Sequence, residues 1–338
     1  MLAGAAGWLL AGRLVAPWAG PPAGAGVGLG TALVGTCRPL VDAAERTRAV
    51  ERGVPDALYL VGREVQRGRA VERALAVPDA VVSPSRLVVA NALDAREAGA
   101  TIHTHAPVES MRVVDGRVRA VTVGGTLGTT VEADAVVNAT GPWAERCAAL
   151  AGVSVPMRPT RGAMVAVENP GVDAVLNRCR PPADGDIVVP TPEAAVLGTT
   201  SVAVDDPDGF ERSDAEVDRI VDECAAMAPA VAGAPTVRTY WGVRPLYAPD
   251  ESGRDGRAIS RGFALLDHAD DGAAGLVTVV GGKLTTYRRM AEATADLLCD
   301  RLAVDAPCRT AERPLPGSDD PERLDTALDR FAVDAPAG

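Results

Sequence analysis

LVTVVGGKLTTYR, residues 276–288, decides how the rest of the chain is read. Residues 276–280 form an apolar run short enough for a buried strand. Two glycines follow, Gly281 and Gly282, then Lys283 and the pair Thr285-Thr286. From there, positions 290, 294, 297, 298 and 302 carry Met, Thr, Leu, Leu and Leu, the spacing of an amphipathic helix from Met290 onward. Strand, glycine turn and helix start present free backbone N–H groups and the positive end of a helix dipole to an anion. Lys283 is the only lysine of the chain, against 33 arginines. Lysine differs from arginine in shape, hydration and accessible pKa range. A solitary lysine at such a turn therefore points to a site that requires it.

Working outward, 338 residues suffice for roughly two domains. Hydrophobic residues make up 47% and aromatics only 3%, so the core must be built from Ala, Val and Leu. A net charge of −11 argues against nucleic acid as a partner. The acidic, nearly lysine-free composition fits a GC-rich gene and is compatible with a salty cytoplasm. Cysteines at 37, 147, 179, 224, 299 and 308 include no C-x-x-C pair, which offers no metal or iron–sulfur cradle and points to a reduced cytoplasmic setting. Residues 1–12 are apolar but lack a basic leader, and Arg13 ends the run short of the about 18 residues a span needs.

The first 75 residues stand apart. They hold nine arginines and six acids, a balance of +3, so the other 263 carry −14. Glycines at 24, 26, 28 and 30 suggest a dinucleotide fingerprint, but Pro21 and Pro22 occupy the place of its strand and the G-x-G-x-x-G spacing fails. Residues 41–75 read as one or two Arg/Glu-rich helices.

From Val77 the texture changes. Ser83 or Ser85 is placed to cap a helix from about Arg86 to Glu97, closed by Gly99. THTH predicts a short strand around Ile102 with His103 and His105 on one face, and no third ligand lies near them. Residues 108–123 predict a hairpin turning at Asp115-Gly116. In 133–152 a strand ending at Asn138 meets a small-residue turn, Ala139, Thr140 and Gly141, before a helix that ends at Gly152. Small residues there let a flat ligand approach the backbone.

Residues 153–250 read as a second domain, with strands at 161–168, 186–190 and 193–201. A helix runs from Ser213 to Met227, with Ser213 and Glu216 in capping-box spacing. Arg244 precedes Pro245, which favours extended backbone and projects a guanidinium off a strand end, a good anion anchor. Residues 254–268 pair polar turns with a buried strand, and the Asp/Pro-rich tail holds one short helix near 320–332.

Taken together, VVNATGPWAE, NRCRPPADGDIVVP, LGTTS, YWGVRPL, GRAISRGFALLDH and GGKLTTYRRMAE resemble, in this order, FAD-dependent glycerol-3-phosphate dehydrogenases. NRCRPPADGDIVVP resembles the A subunit of the anaerobic type, and the resemblance covers roughly 77–315. It implies an α/β (α+β) chain whose discontinuous Rossmann-like FAD-binding domain, 77–155 and 256–312, carries an inserted antiparallel-sheet substrate domain, 156–255, with a tail at 313–338. It implies Ala139, Thr140 and Gly141 beside the adenosine half of FAD, and Gly281, Gly282, Leu284 and Thr285 at the pyrimidine end of the flavin. Arg244 and Lys283 are expected to hold the phosphate and the C2 oxygen of sn-glycerol 3-phosphate while hydride passes from C2 to the flavin. Electrons then pass to quinone through partner subunits of an anaerobic dehydrogenase complex. A cytoplasmic location follows, peripheral at most on the membrane.

The resemblance also implies a glycine-rich N-terminal unit that residues 1–76 lack, so the FAD-binding domain is expected to be incomplete there. That stretch reads as unrelated or wrongly framed coding sequence. Two alternatives follow: a catalytically inactive, truncated or frameshifted remnant, or a related FAD-dependent amino-acid oxidase in which Arg244 binds a carboxylate.

Overall fold

The computed structural model describes residues 81–178, 180–249 and 262–333. Contacts divide the chain into Met1–Val81 and Val82–Gly338, and every described helix and strand belongs to the second unit. The expected helices of 41–75, the rejected glycine fingerprint and the polar turns of 254–261 lie outside the described residues.

Helix α1, Pro84–Glu97, starts with proline at its first turn, where a missing N–H costs nothing. Ser83 holds the cap position, but its hydroxyl faces that of Ser85 at 3.3 Å rather than the helix. Gly99 follows at φ +98°. Residues 101–107 form no strand, contrary to the expectation around Ile102, and His105 itself takes a positive φ of 55°. The alternation of polar and apolar residues there has no partner strand to satisfy its backbone.

Strands β1 (Val108–Val114), β2 (Arg117–Val123) and β3 (Thr129–Glu132) form an antiparallel meander. Asp115 (φ 50°) and Gly116 (φ 71°) make the expected tight turn, both in the left-handed region that a two-residue hairpin loop requires. Strand β4 (Val136–Asn138) leads through a single 3₁₀ turn, Gly141–Trp143, into helix α2, Ala144–Ala149.

The largest sheet is built from Thr160 to Arg244. Its order is β10-β5-β8-β7-β6, all antiparallel, with β9 beside β5. The ranges are β5 Thr160–Glu168, β6 Leu176–Asn177, β7 Ile187–Pro190, β8 Ala194–Gly198, β9 Val202–Ala203 and β10 Thr236–Arg244. Helix α3, Asp214–Ala225, buries Glu216, Ile220 and Cys224, one stripe at a four-residue interval. Ile220 and Cys224 join Val165, Val188, Leu197 and Val231 in the main core.

A third sheet has the order β11-β12-β4, with β11 Phe263–Asp267 and β12 Leu276–Gly281. Strand β12 runs antiparallel to β11 and parallel to β4. It is as deeply buried as its apolar run predicts, with Leu276, Val277, Thr278 and Val280 at 1% exposure or less. Leu276 joins Met111, Val118, Ala148 and Val155 in a second core, which holds the meander and α2 against this sheet. After β12 comes a 3₁₀ turn, Leu284–Thr286, and helix α4, Tyr287–Leu302. Helical structure thus begins before Met290, because the Thr286 hydroxyl closes the first turn on Lys283. Helix α5, Pro321–Val333, ends the described chain. No helix among the described residues is long and apolar enough to cross a membrane.

Candidate cofactor and substrate site

The parallel pairing of β4 with β12 sets Val136 beside Leu276, Val137 beside Val277 and Asn138 beside Thr278. Both chains therefore leave the same edge of one sheet, at their C-terminal ends, where ligands of parallel sheets bind. The first exit is the turn of Ala139, Thr140 and Gly141; the second is that of Gly281, Gly282, Lys283, Leu284 and Thr285. All the expected cofactor residues and Lys283 are thus brought to one place.

Each turn is fixed locally. In the first, Asn138 is 1% exposed. Its side-chain carbonyl accepts the Thr140 hydroxyl at 2.7 Å and the Thr140 N–H at 3.3 Å. Its amide donates to the Ala144 carbonyl at 2.8 Å. Gly141 has φ +60°, and no heavy atom lies within 4 Å of where a Cβ would stand. Ala139 and Thr140 are exposed, so the turn offers backbone to a neighbour. In the second turn, the Thr286 hydroxyl accepts the Lys283 N–H at 3.1 Å and donates to the Lys283 carbonyl at 2.9 Å. The amides of Leu284 and Thr285 open the turn, where no carbonyl of the helix lies behind them to accept. Lys283 is exposed. It is the cap residue of the turn that opens the helix, at the end whose dipole attracts anions.

Arg244 stands on the large sheet, at the end of β10, which packs against the 3₁₀ turn after Gly141. Its Nη2 donates to the Thr199 hydroxyl at 2.9 Å and to the Thr200 carbonyl at 3.0 Å. The guanidinium lies over Gly162, where a Cβ would come within 2.4 Å of Nη2 and 2.6 Å of Thr199 Oγ1. Beneath it, Thr200 donates its hydroxyl to Glu216 at 2.9 Å and accepts the Ala163 N–H at 2.9 Å. Glu216 in turn accepts both ends of the Arg161 guanidinium, at 2.7 and 2.6 Å. This corrects the capping expectation. Ser213 makes no side-chain cap bond, and Glu216 turns into the core. The Arg161 guanidinium, then the Thr200 hydroxyl, hold its carboxyl below the usual carboxylate range.

A further tie joins the first turn to the loop after β9. Trp143 donates to Asp208 at 2.9 Å, and Arg146 donates to Asp206 and Asp208 at 2.7 Å each. The Asp208 N–H and then Arg146 keep the Asp206 carboxyl below its ordinary range. In the 178–186 segment, Arg178 pairs with Glu223, and Arg180 bridges Asp186 and Glu223. These arginines anchor the loop to α3.

Sequence reasoning gave no role in the site to Asn138, Thr199, Thr200, Gly162 or Glu216. The available signal was a polar residue inside an apolar strand, as at Asn138 after two valines. Such a residue must find a partner when buried.

A family model for FAD dependent oxidoreductases matches residues 28–288. The match begins inside the N-terminal stretch that shows no fingerprint by spacing, outside the described residues. The chain is 45% identical over 267 residues to the A1 subunit of the anaerobic glycerol-3-phosphate dehydrogenase of Haloferax volcanii, covering 75% of this chain and 46% of that protein. It is 42% identical over 247 residues to the A subunit of the anaerobic glycerol-3-phosphate dehydrogenase of Escherichia coli K12, covering 71% and 45%. Among solved structures, the glycerol-3-phosphate dehydrogenase of Bacillus halodurans complexed with FAD superposes with a TM-score of 0.58 at 26% identity, over 74% of this chain and 50% of that one. The chain spans about half the length of the curated relatives it matches.

The residues on the sheet edge fit that cofactor. The open space at Gly141, the exposed backbone of Ala139 and Thr140, and the helix start at Leu284 and Thr285 suit a flat, partly anionic ligand laid across two strand ends. With one sheet edge collecting both turns and a family match across most of its length, the chain belongs to the FAD-dependent oxidoreductase family.

Proposed function

We propose that the chain oxidises sn-glycerol 3-phosphate to dihydroxyacetone phosphate, as the flavin-bearing part of an anaerobic dehydrogenase that passes electrons to quinone through partner subunits. The observation that carries this proposal is the shared exit of β4 and β12, which sets the turn of Ala139, Thr140 and Gly141 beside that of Gly281, Gly282, Lys283, Leu284 and Thr285. The identity to two anaerobic A subunits supports the substrate. In this proposal 77–155 and 256–312 form the cofactor part, 156–255 the substrate part and 313–338 a tail. The location is cytoplasmic, with membrane contact peripheral at most.

FAD, when bound, supplies the acceptor for the hydride leaving C2. The protein does the rest. Ala139, Thr140 and Gly141 present backbone to the adenosine half. Gly281, Gly282, Leu284 and Thr285 present a helix N-terminus to the end of the ring that gains negative charge. Arg244, fixed by Thr199 and Thr200, binds the substrate phosphate as a charge-assisted anchor. Lys283 places an ammonium at the C2 oxygen and lowers the cost of its alkoxide character as the C–H bond breaks. An ammonium suits this role because it is compact and carries rotatable donors.

Turnover with an artificial acceptor tests the proposal. The purified chain, supplied with FAD, should oxidise sn-glycerol 3-phosphate but neither glycine nor sarcosine. Lys283→Met should lower kcat by about 100-fold, and Arg244→Met should act mainly on KM. Oxidation of glycine in place of glycerol 3-phosphate would assign an amino-acid oxidase. Bound FAD without turnover of any substrate would assign an inactive remnant.

A further inference from the structure

His268 takes no part in the chemistry above, yet it is 2% exposed, among the most deeply buried large side chains of the described residues. It follows β11 directly, and both ring nitrogens are engaged. Nδ1 lies 2.9 Å from Asp271 Oδ2, and Nε2 lies 2.9 Å from Thr278 Oγ1. A carboxylate only accepts, so Nδ1 donates to Asp271, while Nε2 meets the Thr278 hydroxyl on the other side of the ring. The Thr278 oxygen in turn accepts the Asn138 amide at 3.3 Å. The same amide group gives its other hydrogen to the Ala144 carbonyl at 2.8 Å. That leaves the Asn138 carbonyl facing Thr140, where it accepts the hydroxyl at 2.7 Å and the N–H at 3.3 Å.

The Asn138 amide has one orientation. Rotating the Asn138 amide by half a turn would set its oxygen against the Ala144 carbonyl and its N–H groups against the Thr140 N–H. His268 thus ties Asp271, on the surface, through Thr278 to a buried amide two strands away that holds the turn. Imidazole suits this because it reaches a hydrogen-bond partner from each of two nitrogens on a rigid ring. A side chain that served only to fill the space would need neither.

We propose that His268 is a positioning residue for the cofactor turn: through Thr278 and Asn138 it fixes the Thr140 backbone and hydroxyl. This rests on reading Ala139, Thr140 and Gly141 as a cofactor contact. It adds a residue remote from the ligand that determines how well the turn is preorganised. Half-satisfied buried networks are costly, so loss of one link is felt along its length.

The test uses the full chain and two readouts. One is the FAD dissociation constant by fluorescence titration. The other is amide hydrogen exchange, without FAD, of peptides covering 138–146 and, as reference, 163–198. His268→Asn keeps an amide near Nδ1 and loses the bond to Thr278, whereas His268→Gln reaches the place of Nε2 and keeps it. His268→Asn and Thr278→Val should raise the FAD dissociation constant roughly tenfold. Both should speed exchange in 138–146 and leave 163–198 unchanged. His268→Gln and Thr278→Ser should stay within about twofold of the wild type. Equal behaviour of His268→Asn and His268→Gln, or exchange that rises equally in both segments, overturns the proposal. If the wild type takes up no FAD, the cofactor assignment falls, and the exchange comparison alone still decides whether His268 orders the turn.

Discussion

Arg161 and Glu216 face each other across the buried side of the large sheet, joined by two parallel N–H···O bonds of 2.7 and 2.6 Å. Their side chains are 8% and 10% exposed. The pair does more than neutralise itself. Glu216 also takes the Thr200 hydroxyl, and the Thr200 carbonyl takes Arg244. A buried ion pair thus holds up the two-threonine ledge on which the proposed substrate arginine rests. The residue before the ledge, Gly198, and the residue under the guanidinium, Gly162, are both glycines crowded by neighbouring side chains.

Replacing Glu216 by Gln should therefore cost about 3 kcal/mol, because Arg161 is left as a buried charge without its counterion. Denaturant melts check this. The acid limb carries a second signature. The folded-state pKa of Glu216 lies below its unfolded value, so its contribution is present above the ordinary carboxylate range and is lost as pH falls through the depressed folded value. The Glu216→Gln chain should lack that part of the slope, with its deficit greatest near neutrality and shrinking as the medium becomes acid. A deficit that stays constant across pH would show that the ion pair carries none of the acid lability.

Gly162→Ala separates stability from ligand binding. The new Cβ would fall within 2.4 Å of Arg244 Nη2 and 2.6 Å of Thr199 Oγ1. Both obstacles are side-chain ends, so the guanidinium can swing away at small cost in stability. It then loses its ledge. The expected outcome is a melting temperature within about 3 °C of the wild type and an apparent KM for sn-glycerol 3-phosphate raised by about tenfold. An unchanged KM would mean that the phosphate anchor is not Arg244.

Among the cysteines of the described residues, one should resist reaction. Cys224 is fully buried on α3, and burial pushes its thiol up to about 11. Cys147 is half-buried, and its thiol is raised for the same reason. Thiolate is the reacting form. Brief alkylation of the native chain at pH 8, read by peptide mass, should modify Cys147, Cys299 and Cys308 and leave Cys224 intact until denaturant is added. Early loss of Cys224 would contradict its place in the core.

How far the fold was legible depends on the range of the interaction that specifies each part. The hairpin at Asp115-Gly116 and the strand through Leu276 to Val280 follow from local backbone preference and apolar runs, and both stand where the sequence predicts. The convergence of the turns after Asn138 and Thr278 came from resemblance, since pairing across 140 residues leaves no local mark. Glu216 shows the opposite failure. Ser213 and Glu216 have capping-box spacing, yet a distant guanidinium, Arg161, drew the carboxylate inward and left the cap unmade. His103 and His105 alternate like a strand without a neighbour to pair with. Local pattern states what a segment can do, and long-range partners choose among the options.

Gly281 and Gly282 lead to the last prediction, because they are crowded by different things. Both have positive φ, +79° and +76°, so a side chain at either costs about 1–2 kcal/mol in backbone strain alone. A Cβ on Gly281 would also stand 2.7 Å from the Gly262 carbonyl oxygen. That oxygen receives the Gly282 N–H at 3.0 Å, so backbone would have to move and the bond would be lost. A Cβ on Gly282 instead meets the Met290 sulfur at 2.4 Å, and a thioether can rotate aside. Gly281→Ala should therefore destabilise the chain by about 2–3 kcal/mol, adding a lost hydrogen bond to the strain, whereas Gly282→Ala should cost about half as much. In flavin titration the two should converge, each losing at least about tenfold in affinity for FAD, because either one displaces the start of the helix at Leu284. Differential scanning calorimetry and flavin fluorescence measured on the same samples give both numbers. If Gly282→Ala bound FAD as tightly as the wild type, the flavin would not lie against this turn, and Lys283 would lose its place in the proposed chemistry with it.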